Sequence, residues 1–117
     1  MGIVHVNVGL AKPTDRQPSE TVRVMVDTGA IISVFPAKLL ERLGIQRVGQ
    51  QRFRGFGGSV VRSVGGVAMT YGDVTSVVPV AFGDEDDTAV MGVTALETLG
   101  YEVDPVRGEL HRVDMLL

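Results

Sequence analysis

Two segments near the N-terminus alternate apolar with other residues, and this alternation constrains the fold more than any other feature. In residues 3–10 the valines and Leu10 fall at every second position, and residues 21–26 repeat the pattern with Val22, Val24 and Val26 on one face. A period of two predicts half-buried strands. The polar residues 12–20 contain two prolines and are a predicted loop. Together these segments predict a hairpin with a long connection.

The rest of the chain is predicted to contain two short helices among further strands. Residues 36–44 begin with proline, carry leucines at helical spacing and end with glycine, which is typical of a short helix. Residues 93–100 repeat this pattern. Pro79 indicates that its strand lies at a sheet edge. The predicted extended segments are residues 45–53, 60–69, 74–82 and two short strands within 101–110.

Composition favours a single mostly β domain spanning residues 1–117. A chain of 117 residues fits one domain. Aromatic residues make up only 5% of the chain while 15 glycines are present, a pairing that favours short strands and tight turns over a helical bundle. Strands of this number, punctuated by glycine, usually close into a barrel or a sandwich.

Composition also argues against several classes of function. The absence of cysteine excludes disulfides and thiolate metal sites, and with only two histidines we expect no histidine-rich metal site. A net charge of −3 with dispersed basic residues argues against nucleic acid as a partner. No apolar run approaches membrane-spanning length, and no signal-peptide pattern opens the chain, so we expect a cytoplasmic protein without a membrane partner.

The second strand runs directly into Asp27, Thr28 and Gly29. Burying a carboxylate at the end of a strand costs free energy unless hydrogen bonds or a paired group compensate for the lost water. Gly29 allows a sharp turn, and the Thr28 hydroxyl can hold that turn in place. The pattern therefore predicts a carboxylate on a rigid, partly desolvated loop. Ordinary turn chemistry, with the aspartate accepting local N–H groups, is the alternative interpretation.

Two longer segments place this tripeptide in a recognisable context. The segment VMVDTGAIISVFPAKLLERLGI, residues 24–45, resembles the active-site segment of retropepsin-like aspartic proteases. Downstream, AVMGVTALETLG, residues 89–100, is similar to that family's motif of two apolar residues, glycine and a helix, which passes behind the catalytic loop. YEVDPVRGEL, residues 101–110, resembles the closing strands of cellular and bacterial members. The order and spacing agree over residues 4–110.

The resemblance implies a closed β-barrel of the retropepsin type with one or two short helices. It also implies an aspartic endopeptidase that cleaves extended peptides or proteins and needs no metal or organic cofactor. Asp27, Thr28 and Gly29 match the catalytic loop. Because this chemistry needs two carboxylates and the chain has one Asp-Thr-Gly, the resemblance implies a symmetric homodimer with its active site on the two-fold axis.

The glycine-rich residues 53–60 lie where the family has its flap, a hairpin that closes over the peptide. The resemblance implies that Phe56, Gly57 and Gly58 contact substrate there. Ile31 stands where many viral members have an acidic residue that helps to bind substrate. Apolar candidates for substrate pockets are Ala30, Val34, Val90 and Met91.

Two other interpretations remain open from the sequence. The first is a non-catalytic peptide-binding or dimerisation module on the same fold, because a fold does not ensure its function. The second is a small β-barrel scaffold in which Asp27 serves only as a turn residue. The glycines of residues 53–60 also resemble a phosphate loop weakly, but no Gly-Lys-Ser/Thr and no helix follow them.

Overall fold

The structure, a computed structural model, describes residues 3–15, 17–55 and 57–115. Strands dominate this part of the chain, with two short helices, as the sequence predicted. In chain order the elements are β1 (His5–Ala11), β2 (Glu20–Val26), β3 (Ser33–Pro36), α1 (Ala37–Arg42), β4 (Gly49–Gly55), β5 (Gly58–Tyr71), β6 (Val74–Gly83), β7 (Val90–Met91), α2 (Val93–Leu99), β8 (Tyr101–Asp104) and β9 (Glu109–Arg112).

Seven of the strands form one sheet, and six of them close into a ring that leaves β4 outside, paired with β5. Its order is β1-β2-β7-β3-β6-β5-β4, and β1 also pairs with β5, with Leu10 opposite Met69. This second pairing of β1 turns the sheet into a ring, and closure protects strand edges from unwanted pairing. The predicted closed barrel is therefore confirmed. Strands β8 and β9 form a separate antiparallel pair that packs beside α2.

The N-terminal hairpin follows the alternation seen in the sequence. Strands β1 and β2 are antiparallel, with Val6 opposite Val24. Val24 is fully buried, and the β1 valines and Leu10 also point into the core. Because alternate side chains of a strand face opposite sides, His5 and Asn7 lie on the exposed face. Strand β2, whose apolar face lies against the core, ends directly before Asp27.

Both helices end as their glycines predicted. Helix α1 buries Leu39 and Leu40, and Gly44 follows it with a φ of +79°. Helix α2 ends at Gly100, which adopts the left-handed conformation with a φ of +81°. Glycine is favoured there because it has no Cβ to clash with the following carbonyl oxygen. Pro36, predicted to open the first helix, is the last residue of β3 and the N-cap of α1.

The segment predicted as a strand from Ile45 begins its pairing only at Gly49. Ile45 is buried, and its N–H donates a hydrogen bond to the Leu40 carbonyl at 2.9 Å. The Ile45 N–H therefore caps the C-terminal end of α1 and does not pair with a neighbouring strand there. The apolar side chain that suggested a strand belongs to a short connection packed into the core.

The prediction of an edge strand at Pro79 was wrong. Strand β6 lies inside the sheet, between β3 and β5. Pro79 is tolerated because β3 pairs with β6 only from Val80 onwards, so the proline lies just before that pairing begins. A proline has no N–H to donate, and here it falls where β6 has a neighbour, β5, on one side only.

None of the helices in the described ranges 3–15, 17–55 and 57–115 has the length and apolar character needed to cross a membrane.

Candidate active site

The Asp27 loop is a tight turn that starts where β2 ends. The Gly29 N–H donates a hydrogen bond to Asp27 Oδ1 at 2.9 Å, and the Ala30 N–H donates to the Asp27 carbonyl at 3.1 Å. Asp27 is half-buried, whereas Thr28 and Gly29 are exposed. The hydrogen bond from the Gly29 N–H holds Oδ1 in place. The loop thus presents a carboxylate in a defined orientation.

Strand β7 lies directly behind this loop. It is parallel to β2, with Val26 opposite Met91, and antiparallel to β3, with Val34 opposite Val90. The Asp27 N–H donates to the Met91 carbonyl at 3.0 Å. The resemblance predicted that the second motif passes behind the catalytic loop, and these pairings confirm it. A strand of only two residues therefore joins both sides of the loop.

Gly92 allows the second motif to approach the loop this closely. A Cβ at this position would lie 2.6 Å from the Ile32 carbonyl carbon and 2.9 Å from the Ala30 oxygen. Both neighbours are backbone atoms, which cannot move aside as a flexible side chain can. The Gly92 N–H donates to the Ser33 Oγ at 3.0 Å, and Ser33 is only 1% exposed. A buried N–H needs such a partner.

Ser33 is a site residue that sequence reasoning missed. The available signal was a single hydroxyl within the otherwise apolar residues 31–35. A buried polar side chain in such a run usually has a hydrogen-bond partner. The identity of that partner, 59 residues further along the chain, could not be read from local sequence.

The downstream end of the loop is tied to helix α2. The Val93 N–H donates to the Ala30 carbonyl at 2.7 Å, and the Thr94 N–H donates to the Ile31 carbonyl at 3.1 Å. These are two of the N–H groups that the first turn of a helix leaves without intrahelical partners. The Asp27 loop is therefore held by β2 and β7 at one end and by α2 at the other.

An apolar cavity of about 350 Å³ lies between β3, β7 and the β4–β5 hairpin. Val34 and Val90, both predicted as pocket residues, line it together with Phe53 and Val60 from the hairpin. Phe53 and Val60 are opposite each other in the β4–β5 pairing. Arg62, Asp87 and Thr88 add polar groups to its wall. This cavity can receive a small or medium-sized aliphatic side chain.

Comparison with known proteins decides the family. Residues 17–103 match the aspartyl protease family. The chain belongs to that family. Its fold is similar to that of EIAV protease, solved in complex with the inhibitor HBY-793, at 21% sequence identity and a TM-score of 0.65. The likeness covers 88% of this chain and 93% of EIAV protease. No curated protein matches the sequence.

The family match includes the Asp27 loop, the glycine-rich hairpin and α2, and it ends within β8. The EIAV protease likeness establishes a retropepsin-like fold for this aspartyl protease. The expectation drawn from residues 24–45 and 89–100 is thereby confirmed at the level of family and fold.

The other predicted contact residues of this aspartyl protease occupy different environments. Met91 is fully buried within the core, so we assign its side chain to packing and correct its prediction as a pocket residue. Ala30 is half-buried and acts through its backbone. Gly57 and Gly58 lie at the tip of the β4–β5 hairpin, with φ angles of +86° and +122°. Phe56 lies outside the described residues.

A second cavity, of about 390 Å³, borders the Asp27 loop. Asp27 and Thr28 line it with Ile3 and Val4 from the N-terminal segment and with Val103 and Pro105 from the β8–β9 hairpin. Ile3 is 70% exposed although it is apolar. The surroundings of the carboxylate on this side are thus apolar and partly open to solvent.

Proposed function

We propose that this chain is an aspartic endopeptidase that works as a symmetric homodimer, each copy a single domain of residues 1–117. The observation that carries the proposal is the Asp27 loop. Its carboxylate is half-buried and held by the Gly29 N–H, on a loop tied to β7 and α2. Membership of the aspartyl protease family supports this role for Asp27.

The number of catalytic motifs supports the homodimer. The sequence contains Asp-Thr-Gly once, at Asp27–Gly29. Aspartic protease chemistry needs two carboxylates that share one proton, because two like charges about 3 Å apart cannot both remain ionised. A two-fold axis passing between two Asp27 loops supplies the second carboxylate. Thr28 is exposed on the loop, where it could reach the partner loop across such an axis.

In the proposed reaction the ionised Asp27 carboxylate takes a proton from a water molecule, and the oxygen of that water attacks the peptide carbonyl carbon. The protonated Asp27 of the other copy donates to the carbonyl oxygen as the tetrahedral intermediate forms. The first Asp27 carboxyl then gives the proton it took from water to the amide nitrogen, the C–N bond breaks, and a hydroxyl of the intermediate returns its proton to the other Asp27, so the pair again holds one proton. The reaction needs neither a metal nor an organic cofactor.

The apolar cavity supports an extended peptide substrate with an aliphatic side chain near the cleaved bond. Val34 and Val90 line one side of this cavity, and Phe53 and Val60 of the β4–β5 hairpin line the other. We propose that this hairpin acts as a flap, and that Phe56, Gly57 and Gly58 contact the substrate. A peptide between flap and floor would hydrogen-bond through its backbone, as in other modes of strand addition.

Exposed apolar residues near both ends of the described chain support a dimer interface. Ile3 is 70% exposed, Val113 37% and Met115 62%. Ile3 also borders the cavity that contains Asp27 and Thr28, so an interface here would adjoin the active site. Burial of these side chains against a second copy would be favourable at about 25 cal/mol per Å² of apolar surface.

The test replaces the carboxylate by its neutral isostere. We expect Asp27→Asn to lower kcat/KM for library peptides by at least about a thousandfold, because general acid–base catalysis of this kind is lost. The free energy of unfolding and the dimer seen by sedimentation should persist. Asp86→Asn makes the same chemical change in the exposed 84–87 loop and should leave cleavage unaltered.

Three results would overturn the proposal. Cleavage by Asp27→Asn at the wild-type rate would remove the carboxylate from the mechanism. Full activity in a protein that sediments only as a monomer would exclude the shared site. If wild type binds peptides as a dimer and cleaves none, the chain is a non-catalytic binding module.

A further inference from the structure

The β8–β9 hairpin brings three possible metal-ligating side chains onto one face. Asp104 is directly opposite Glu109 in the antiparallel register, and His111 lies two residues beyond Glu109 on the same strand. Opposed residues share a face, and so do residues two apart on a strand. These side chains lie outside the family match, which ends at residue 103. They take no part in the proposed peptidase chemistry.

The donor atoms of this group converge. His111 Nε2 lies 2.9 Å from Glu109 Oε1 and 3.4 Å from Asp104 Oδ2, and the three atoms lie within 4.8 Å of one another. Ligands about 2.0–2.1 Å from a zinc ion are separated by roughly 2.9 Å at a right angle and roughly 3.3 Å at the tetrahedral angle. The imidazole nitrogen and the two carboxylates thus already have the spacing of ligands around one ion.

Backbone groups of the hairpin turn orient one of the carboxylates. The N–H groups of Val106 and Arg107 donate to Asp104 Oδ1 at 3.0 and 3.1 Å. The other oxygen, Oδ2, is the one that faces His111. Outer hydrogen bonds of this kind commonly orient carboxylate ligands of metal sites. The Asp104 side chain is only 19% exposed, so its position is well defined by its surroundings.

Arg107 is a cation that lies near the group. Arg107 Nε is 4.0 Å from Asp104 Oδ2, but the Arg107 side chain is 72% exposed. An exposed pair at this separation is weak and is screened by salt. The guanidinium therefore does not prevent a small ion from reaching the three donors, of which His111 and Glu109 are open to solvent at 42% and 48%.

We propose that Asp104, Glu109 and His111 bind a divalent transition metal ion of the zinc class. One imidazole nitrogen and two carboxylates suit zinc and its neighbours, whereas magnesium and calcium prefer sites made entirely of oxygen. Three protein ligands leave a coordination position for water. The bound ion links both ends of the 105–108 turn, so it should stabilise the hairpin. The inference does not depend on the proposed peptidase activity.

Calorimetric titration with Zn²⁺ alone, together with the visible spectrum of added Co²⁺, tests the site. We expect one ion per chain with micromolar affinity, a tetrahedral or five-coordinate Co²⁺ spectrum, and a higher melting temperature with Zn²⁺. His111→Gln and Glu109→Gln should each weaken binding at least about tenfold. His5→Gln is the matched control, because His5 is an exposed histidine on β1. Circular dichroism confirms that each variant is folded.

The same titration on the Asp27→Asn variant tests whether this site is independent of the proposed dyad. We expect the variant to bind zinc with wild-type affinity. Wild-type affinity in both His111→Gln and Glu109→Gln would overturn the proposal, as would loss of binding in His5→Gln or Asp27→Asn. Binding of Mg²⁺ or Ca²⁺ as tightly as Zn²⁺ would overturn the assignment to the zinc class.

Discussion

Glycine serves opposite purposes in two regions of this molecule, the Asp27 loop with its backing strand and the tip of the β4–β5 hairpin. Gly92 has a φ of −88°, which any residue can adopt, but no room for a Cβ. Gly58 has a φ of +122°, which other residues rarely adopt, yet no atom of the described residues lies within 4 Å of where its Cβ would be. In the first region glycine provides space, and in the second it provides conformation.

The two regions differ in how tightly the surrounding backbone constrains them. Around Gly92 the backbone atoms of several segments are in close contact, so the Asp27 loop cannot shift without breaking hydrogen bonds to β7 and α2. At the hairpin tip, no atom of the described residues lies within 4 Å of where a Cβ of Gly57 or Gly58 would be. Regions with few buried contacts are the ones that open and close most readily.

The largest expected effect comes from filling the space at Gly92. In Gly92→Ala the new methyl group would lie under 3 Å from backbone atoms of Ile32 and Ala30, so we expect a loss of about 3 kcal/mol in the free energy of unfolding. Gly49→Ala is the control, because Gly49 has negative φ and its Cβ would meet a neighbour only at 4.0 Å. Urea denaturation measures both. A loss below about 1 kcal/mol in Gly92→Ala would contradict the close packing.

A smaller loss is expected from the hydrogen bond that joins the same two segments. Ser33→Ala removes the acceptor of the buried Gly92 N–H, and a buried donor left without a partner costs about 2 kcal/mol. Ser59→Ala, at an exposed position of β5, should change the free energy of unfolding by less than about 0.5 kcal/mol. Equal effects of the two substitutions in urea denaturation would mean that Ser33 Oγ does not support the loop.

The smallest expected effect is at the hairpin tip. Gly58→Ala places a Cβ in free space but on a backbone with positive φ, so we expect a loss of about 1 kcal/mol. Gly55→Ala is matched to it, because Gly55 is the cross-strand partner of Gly58 and also has open space, without positive φ. If thermal or urea denaturation gives the two variants equal stability, conformation is not what requires glycine at residue 58.

Sequence patterns predicted the family, and they predicted correctly those elements that depend on interactions between residues close together in the chain. The alternation in β1 and β2 indicated which side chains are buried, and the glycines after α1 and α2 marked where the helices end. These features depend on residues at most four positions apart. The Asp-Thr-Gly loop was likewise visible, because its turn is closed by a hydrogen bond from Gly29 to Asp27.

Predictions that depended on distant neighbours were incomplete or wrong. Pro79 suggested an edge strand because proline lacks an N–H, but β6 is interior, and pairing with β3 begins one residue later. Met91 was predicted as a pocket residue, yet its strand lies between β2 and β3 with the side chain in the core. An apolar residue has the same local pattern whether it faces a pocket or the core, so only the packing of neighbouring strands distinguishes the two.

The sequence alone determined that this protein is mostly β, that Asp27 sits on a glycine turn after a buried strand, and that the chain resembles retropepsin-like proteases. Tertiary structure decided which backbone groups hold that turn, since Met91, Gly92 and Ser33 meet only through pairings between residues far apart in the chain. It also brought Asp104, Glu109 and His111 together by setting the register of β8 and β9. Local patterns reflect steric and hydrophobic preferences within a few residues, whereas these contacts arise because distant segments compete for one common core.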